Sequence, residues 1–139
     1  EEEHDCFSDN THNSHYYNVV GINNVFLGKY KSIDGKVVTG PSISSLLGEV
    51  DYGLNKKTKK SIKNTLKSMK KIVKSANKGV TYDMLIAEGN EKGNMLIQNA
   101  VDSLVKQSKN IELAAAALNI NDLQIEGSDS LDNPDAVFN

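Results

Sequence analysis

The run from Tyr52 to Asn77 leaves this chain few choices of fold. Leu54, Thr58, Ile62, Leu66, Met69, Val73 and Ala76 recur at intervals of three and four, the spacing that lines one side of an α-helix. Asp51 stands before the run as a cap, and Asn77-Lys78-Gly79 stops it. A helix of this length with one apolar side needs partners of the same kind, and the chain supplies two. Glu91 to Leu118 repeats the pattern through Ile97, Val101, Leu104, Ile111, Ala115 and Leu118, and its Ala114 to Ala117 run allows close approach of another helix. Thr11 to Leu27, with a start as early as Ser8, repeats it through Tyr16, Val19, Ile22, Val25 and Phe26.

The expected fold class is therefore all-α, a helical bundle with long helices near residues 11–27, 52–77 and 91–118. Gly28 is placed to end the first helix, and the irregular stretch 31–41 follows. Within it Asp34-Gly35, followed by Val37 and Val38, favours a small hairpin. Pro41-Ser42 then opens a short helix with Ser42 as cap, Ile43, Leu46 and Leu47 as its apolar side, and an end near Gly48. A further short turn of helix is expected over Tyr82 to Glu88, and Gly89, Asn90 and Gly93 loosen the junction after it. Gly21, inside the first helix, costs up to about 1 kcal/mol relative to Ala, which suggests close helix packing or a ligand near the backbone.

A chain of 139 residues with 38% hydrophobic residues has the makings of one small core. We assign 1–120 to the bundle and 121–139 to an acidic extended tail. Those last residues carry Asp122, Glu126, Asp129, Asp132 and Asp135 without a base, interspersed with Gly, Ser and Pro. The start at Glu1-Glu2-Glu3 reads as the end of an element whose beginning lies outside the chain, so the piece is expected to be a fragment of a larger protein. No run of 18 apolar residues exists, and no transmembrane segment is expected. Cys6, the single cysteine, cannot form an internal disulfide and is expected to be buried as a small hydrophobe.

The charge pattern is uneven behind a formal net charge of -2. All 16 basic residues are lysines, so the side chain best suited to a bidentate grip on phosphate is missing, and nucleic acid is not an expected partner. Lys56, Lys60, Lys63, Lys67, Lys70 and Lys74 form a stripe on one helix side, where like charges oppose the helix by about 0.2 to 0.5 kcal/mol per pair. We read the stripe as a solvated face softened by salt and by the acidic tail. The competing reading is a polyanion site.

Chemistry concentrates between His4 and Tyr30, beginning with a polar cluster that holds all three histidines. Ser8, Asp9, Asn10 and Thr11 are each good helix caps. His12 and His15 lie three apart, with Asp9 three residues earlier, so a helix through them would put a carboxylate and two imidazoles on one face. That set suits zinc, iron or copper, and Asp9, His12 and His15 are the candidate metal ligands. The bland reading makes Ser8 to Thr11 a cap and the histidines packing residues. Ser8, Asp9 and His12 include the residue types of a nucleophilic triad, but such members come from separated elements, and no G-x-S-x-G turn is present. Catalytic residues are not identified.

The run CFSDNTH, followed by GINNVFLGKY, then by GPSISSLL and a Val-Asp pair opening a long helix, resembles the C-terminal half of imelysin-like proteins. The resemblance covers roughly residues 3–120. It implies an all-helical fold of two bundle-like halves in tandem, in bacterial periplasmic or surface proteins, some of them lipid-anchored, named after an insulin-cleaving membrane protease and associated with iron uptake. The family's GxHxxE motif belongs to the first half, and no His in this sequence is followed three residues later by Glu. The SDNTH block, here Ser8, Asp9, Asn10, Thr11 and His12, is by resemblance an inter-domain ligand site. Relatives often continue with an Arg-Asp pair where this chain has Asn13-Ser14, so no role of that acid carries over.

The function implied is a protein that binds a metal, zinc or iron, or another ligand, at a site shared with an N-terminal half. Two other readings stay open: a metallopeptidase whose catalytic motif lies in that half, and a non-catalytic interaction module. Tyr16, Val20 and Phe26 of the first helix are expected to contact residues outside this chain, either that half as a separate polypeptide or a second copy in a homo-oligomer. The Ser8 to His12 cluster would then lie at the rim of the contact.

Overall fold

The computed structural model describes residues 4–120. In chain order these form a 3-10 turn (Cys6–Ser8), α1 (Thr11–Leu27), β1 (Lys29–Lys31), β2 (Val37–Thr39), α2 (Ile43–Val50), α3 (Tyr52–Ala76), α4 (Tyr82–Ile86) and α5 (Glu91–Ala117). Helix accounts for 72% of the structure, and the fold is an all-α bundle. The acidic segment 121–139 and the burial of the Cys6 side chain lie outside the described residues.

Local chemistry accounts for most of the element ends. Gly28 closes α1 in the left-handed conformation, φ 58°, and a Cβ there would stand 2.5 Å from the Pro41 carbonyl oxygen, so two independent constraints select glycine. Its carbonyl accepts the Gly40 N–H at 2.9 Å, which pins the hairpin of β1 and β2 to the end of α1. The strands pair antiparallel, Lys29 with Thr39 and Lys31 with Val37, and stay exposed throughout. Ser42 and Ser45 make a reciprocal capping box at the start of α2, and the Asp51 carboxylate accepts the Leu54 N–H at 2.8 Å to open α3.

Helices α1, α3 and α5 run alternately up and down, and two apolar clusters hold them. Val19, Met69, Ile72, Leu85 and Ala100 fill the end that carries α4, with Tyr16, Tyr82 and Leu104 packed around them. Phe26, Leu47, Ile62 and Ala114 fill the other end, flanked by Leu27, Leu54, Ala117 and Leu118, and Leu66 borders both clusters.

Between the two clusters, the contact of α3 with α5 is polar. Thr58, Ser61 and Thr65 are buried on α3 against buried Gln107 and Asn110 on α5. Thr65 Oγ1 donates to the Ser103 carbonyl at 3.1 Å, and the Ser68 and Ser103 hydroxyls meet at 3.1 Å. Short side chains of this kind let two helices approach closely while their hydroxyls find backbone acceptors. Buried Asn55 clips α2 to α3, accepting the Ser44 hydroxyl at 3.0 Å and donating to its carbonyl at 2.8 Å.

This polar seam shifts several expected core positions. On α3 it is Ile72, not Val73, that is fully buried, and on α5 the seam is Ala100, Gln107 and Asn110 while Val101 is exposed. On α2, Ser44 and Leu47 face inward and Leu46 is exposed. On α1, Phe26 is covered by this chain's own residues, so it does not await an outside partner, whereas Val25 is 68% exposed. Gly21 is not a close-packing glycine either, since a Cβ there would meet nothing within 4 Å.

Candidate functional site

The polar cluster folds as a tight cap over the start of α1. The Asp5 carbonyl accepts N–H bonds from Ser8 at 3.2 Å and Asn10 at 3.4 Å, and also the Ser8 hydroxyl. Asp5 is tied to the helix twice, by its own N–H to Thr11 Oγ1 at 3.1 Å and by its carboxylate to the Ser14 hydroxyl. Closing so short a loop forces Asp9 into the left-handed region, φ 50°, which Asp tolerates better than most residues. Asn10 occupies the cap position, but its side chain accepts from Asn13 Nδ2 at 2.8 Å and makes no cap bond to the helix backbone.

The five residues of the SDNTH block therefore separate by environment. Ser8, Asp9 and Asn10 are exposed, while Thr11 and His12 are buried. Because α1 begins at Thr11, Asp9 is not on the helix, and the helical spacing that would align it with His12 and His15 does not apply. Among the described residues no three His, Cys, Asp or Glu side chains gather where they could hold a metal ion.

His12 is the chemically distinctive member. Its Nε2 faces Asn13 Nδ2 at 3.3 Å, and the same amide nitrogen donates to Asn10 Oδ1, which fixes the amide with its NH2 toward the ring. The other ring nitrogen, Nδ1, is buried and has no hydrogen-bond partner. A buried polar nitrogen left without a hydrogen-bond partner costs about 1 to 3 kcal/mol, so its persistence calls for an explanation beyond packing.

His15, by contrast, takes part in a ring stack. It lies 5.6 Å from His4, centroid to centroid, and 5.5 Å from Tyr82 at the start of α4. Burial holds its pKa below the ordinary 6.5, the neighbouring His4 adds to that, and the Asp5 carboxylate opposes it. The stack joins the cap, α1 and α4 into one surface.

The imelysin family model, peptidase family M75, matches residues 1–111. The chain belongs to the imelysin family. The match takes in only part of the family domain. No curated protein matches this imelysin sequence. No helix among the described residues is long and apolar enough to cross a membrane.

In this imelysin chain the structure brings the sequence-derived site residues to one end of the bundle and adds others. Asp5, Asn13 and Ser14 hold the cap, and Tyr82 arrives from a helix some seventy residues away. The first three lay inside the segment singled out by sequence, where their neighbours in the polar run were a usable signal. Tyr82 left no local signal, because its role depends on how α4 packs.

Proposed function

We propose that this chain is part of a bacterial periplasmic or cell-surface imelysin that holds a ligand at Ser8–His12, in connection with iron uptake, and that an N-terminal half bearing the GxHxxE motif completes the site. The observation that carries this reading is the buried, unpartnered Nδ1 of His12 in the same block as the exposed Ser8, Asp9 and Asn10. A hydrogen-bonding group on the ligand that reached this nitrogen as the cap opened would satisfy it. The exposed polar triplet would supply the rim.

The residues present do not by themselves fit a metal. Nε2 of His12 faces the Asn13 amide, Nδ1 is buried, and Asp9 lies off the helix. Zinc or iron at this place would need Asn13 to turn and further ligands from outside the described residues. Mixing this chain with the GxHxxE-bearing half and measuring retained metal and ligand affinity tests the reading. His12→Ala and Asp9→Ala should each weaken binding by tenfold or more. An undiminished affinity in both variants would instead favour a non-catalytic interaction module.

The classification of the family as peptidases supports a second reading, a metallopeptidase whose catalytic motif lies in the other half. It expects zinc-dependent loss of an added peptide substrate that disappears when the Glu of GxHxxE is replaced by Gln. Binding without such loss supports the first reading.

A further inference from the structure

Helix α3 carries nine lysines and no acid, and every one of those lysines is exposed. Four of them, Lys56, Lys59, Lys60 and Lys63, wall a groove of about 620 Å³ whose apolar floor is Leu27 and Leu66. Lys67, Lys70, Lys71 and Lys74 line a second cleft of about 240 Å³ farther along the same helix. Like charges in this density repel one another, and a segment of opposite sign over them would relieve the repulsion more than solvent and salt alone.

A segment of the right sign follows α5 at the same end of the bundle as this groove. Thr58 bonds to the Asn110 carbonyl and Thr65 to that of Ser103, so α3 and α5 are antiparallel and α5 ends next to the beginning of α3. Ala117 and Leu118 pack on the same cluster as Leu27 and Leu66, the two residues that floor the groove. Residues 121–139 continue from that point with five acids and no base, and with Leu123, Ile125 and Leu131 among them. Fully extended, 19 residues reach roughly 60 Å, whereas the stripe from Lys56 to Lys74 rises about 27 Å. Length is therefore sufficient, with slack.

The charge balance points the same way. The described residues hold sixteen lysines against ten acids, an excess of positive charge, and the five acids of 121–139 would offset most of it. We propose that residues 121–139 dock on the lysine groove of α3, with Asp122, Glu126 and Asp129 against Lys56, Lys59, Lys60 and Lys63 and apolar residues of the segment over Leu27 and Leu66. The tether holds the segment at an effective concentration in the millimolar range, enough for contacts too weak to persist between separate molecules. A free polyanion would have to displace it. This inference is independent of the ligand site at Ser8–His12.

The test uses the full chain and a variant in which Asp122, Asp129, Asp132 and Asp135 become Asn and Glu126 becomes Gln. At low salt, the backbone amide shifts of Lys56 to Leu66 should differ between the two proteins, and the difference should fade near 1 M salt, where the screening length is about 3 Å. Diluting the protein should leave the difference unchanged, whereas a difference that fades on dilution would mean a second copy and overturn the proposal. Identical α3 shifts at low salt would also overturn it. Inorganic polyphosphate should bind the neutralised variant at least tenfold more tightly than the wild type, and equal affinity would show an open groove and refute docking. Should neutralisation disturb folding, a charge swap serves: Lys60→Glu with Lys63→Glu should remove the perturbation, and adding Asp122→Lys with Glu126→Lys should restore it. Failure to restore it in a folded protein counts against the proposal.

Discussion

Replacing Gly93 by alanine and Gly21 by alanine should move stability in opposite directions, although both glycines lie within helices. Helix propensity alone favours Ala at each place by about 0.8 to 1.0 kcal/mol. At Gly21 nothing stands within 4 Å of the new Cβ, so the full gain is expected. At Gly93 the new Cβ would lie 2.3 Å from the Leu85 carbonyl oxygen, a backbone atom, and 2.6 Å from Asn90 Nδ2. Relieving the contact means moving α4 away from α5, which by analogy with overpacked cores costs about 1 to 3 kcal/mol. It also displaces Asn90, whose side chain caps α5 through the Gly93 N–H at 2.9 Å, a further loss of about 0.5 to 2 kcal/mol. After subtracting the propensity gain, Gly93→Ala should destabilise by about 0.5 to 4 kcal/mol. For a chain of this size each kcal/mol corresponds to roughly 3 to 6 °C in Tm. Thermal melts of both variants beside the wild type check this. A Gly93→Ala protein that melts at or above the wild-type temperature would refute the claim that this glycine is needed for the α4–α5 contact.

Ile62→Ala should cost about 2 to 5 kcal/mol by urea titration, because Ile62 is fully buried in the cluster with Phe26, Leu47 and Ala114. Stability should fall as the pH drops below about 6.5. His15 has a depressed folded-state pKa, so the unfolded chain takes up the proton first, and the contribution is complete above the unfolded value of 6.5 and lost below it. Urea midpoints between pH 8 and 5 measure the slope, which His15→Gln should flatten, and a protein that gains stability on acidification would contradict the assignment. His12→Leu should change stability by no more than about 1 kcal/mol, since it removes a buried ring nitrogen that has no partner, while abolishing ligand binding. A loss above about 3 kcal/mol would mean that the ring serves the core.

Caps, turns and helix spans were legible from local residue chemistry. Ser42 and Asp51 cap the helices they precede, Asp34-Gly35 sits in the hairpin turn, and the three long helices end within about two residues of the expected places. Each of these depends on neighbours within about four positions, which a sequence displays directly. The grouping of Ser8 to His12 was visible for the same reason, as a run of small polar residues leading into a helix.

Tertiary packing alone decided the rest. Hydrophobic spacing presumes an apolar interface and so points to Val73 and Val101, yet α3 and α5 also meet through Thr58, Ser61, Thr65, Gln107 and Asn110, where the threonine and serine hydroxyls donate to carbonyls of their own helix and, from Thr58 and Thr65, to carbonyls of α5, while Gln107 Oε1 is buried without a partner. The candidate site divides in the same way. The sequence marks which residues are present, but whether His12 is buried and Asp9 exposed depends on the cap that Asp5 draws over the first turn of α1. The pairing of His15 with Tyr82 depends further on the angle at which Gly93 lets α4 pack. Those are contacts between distant positions, and no local pattern of residue types encodes them.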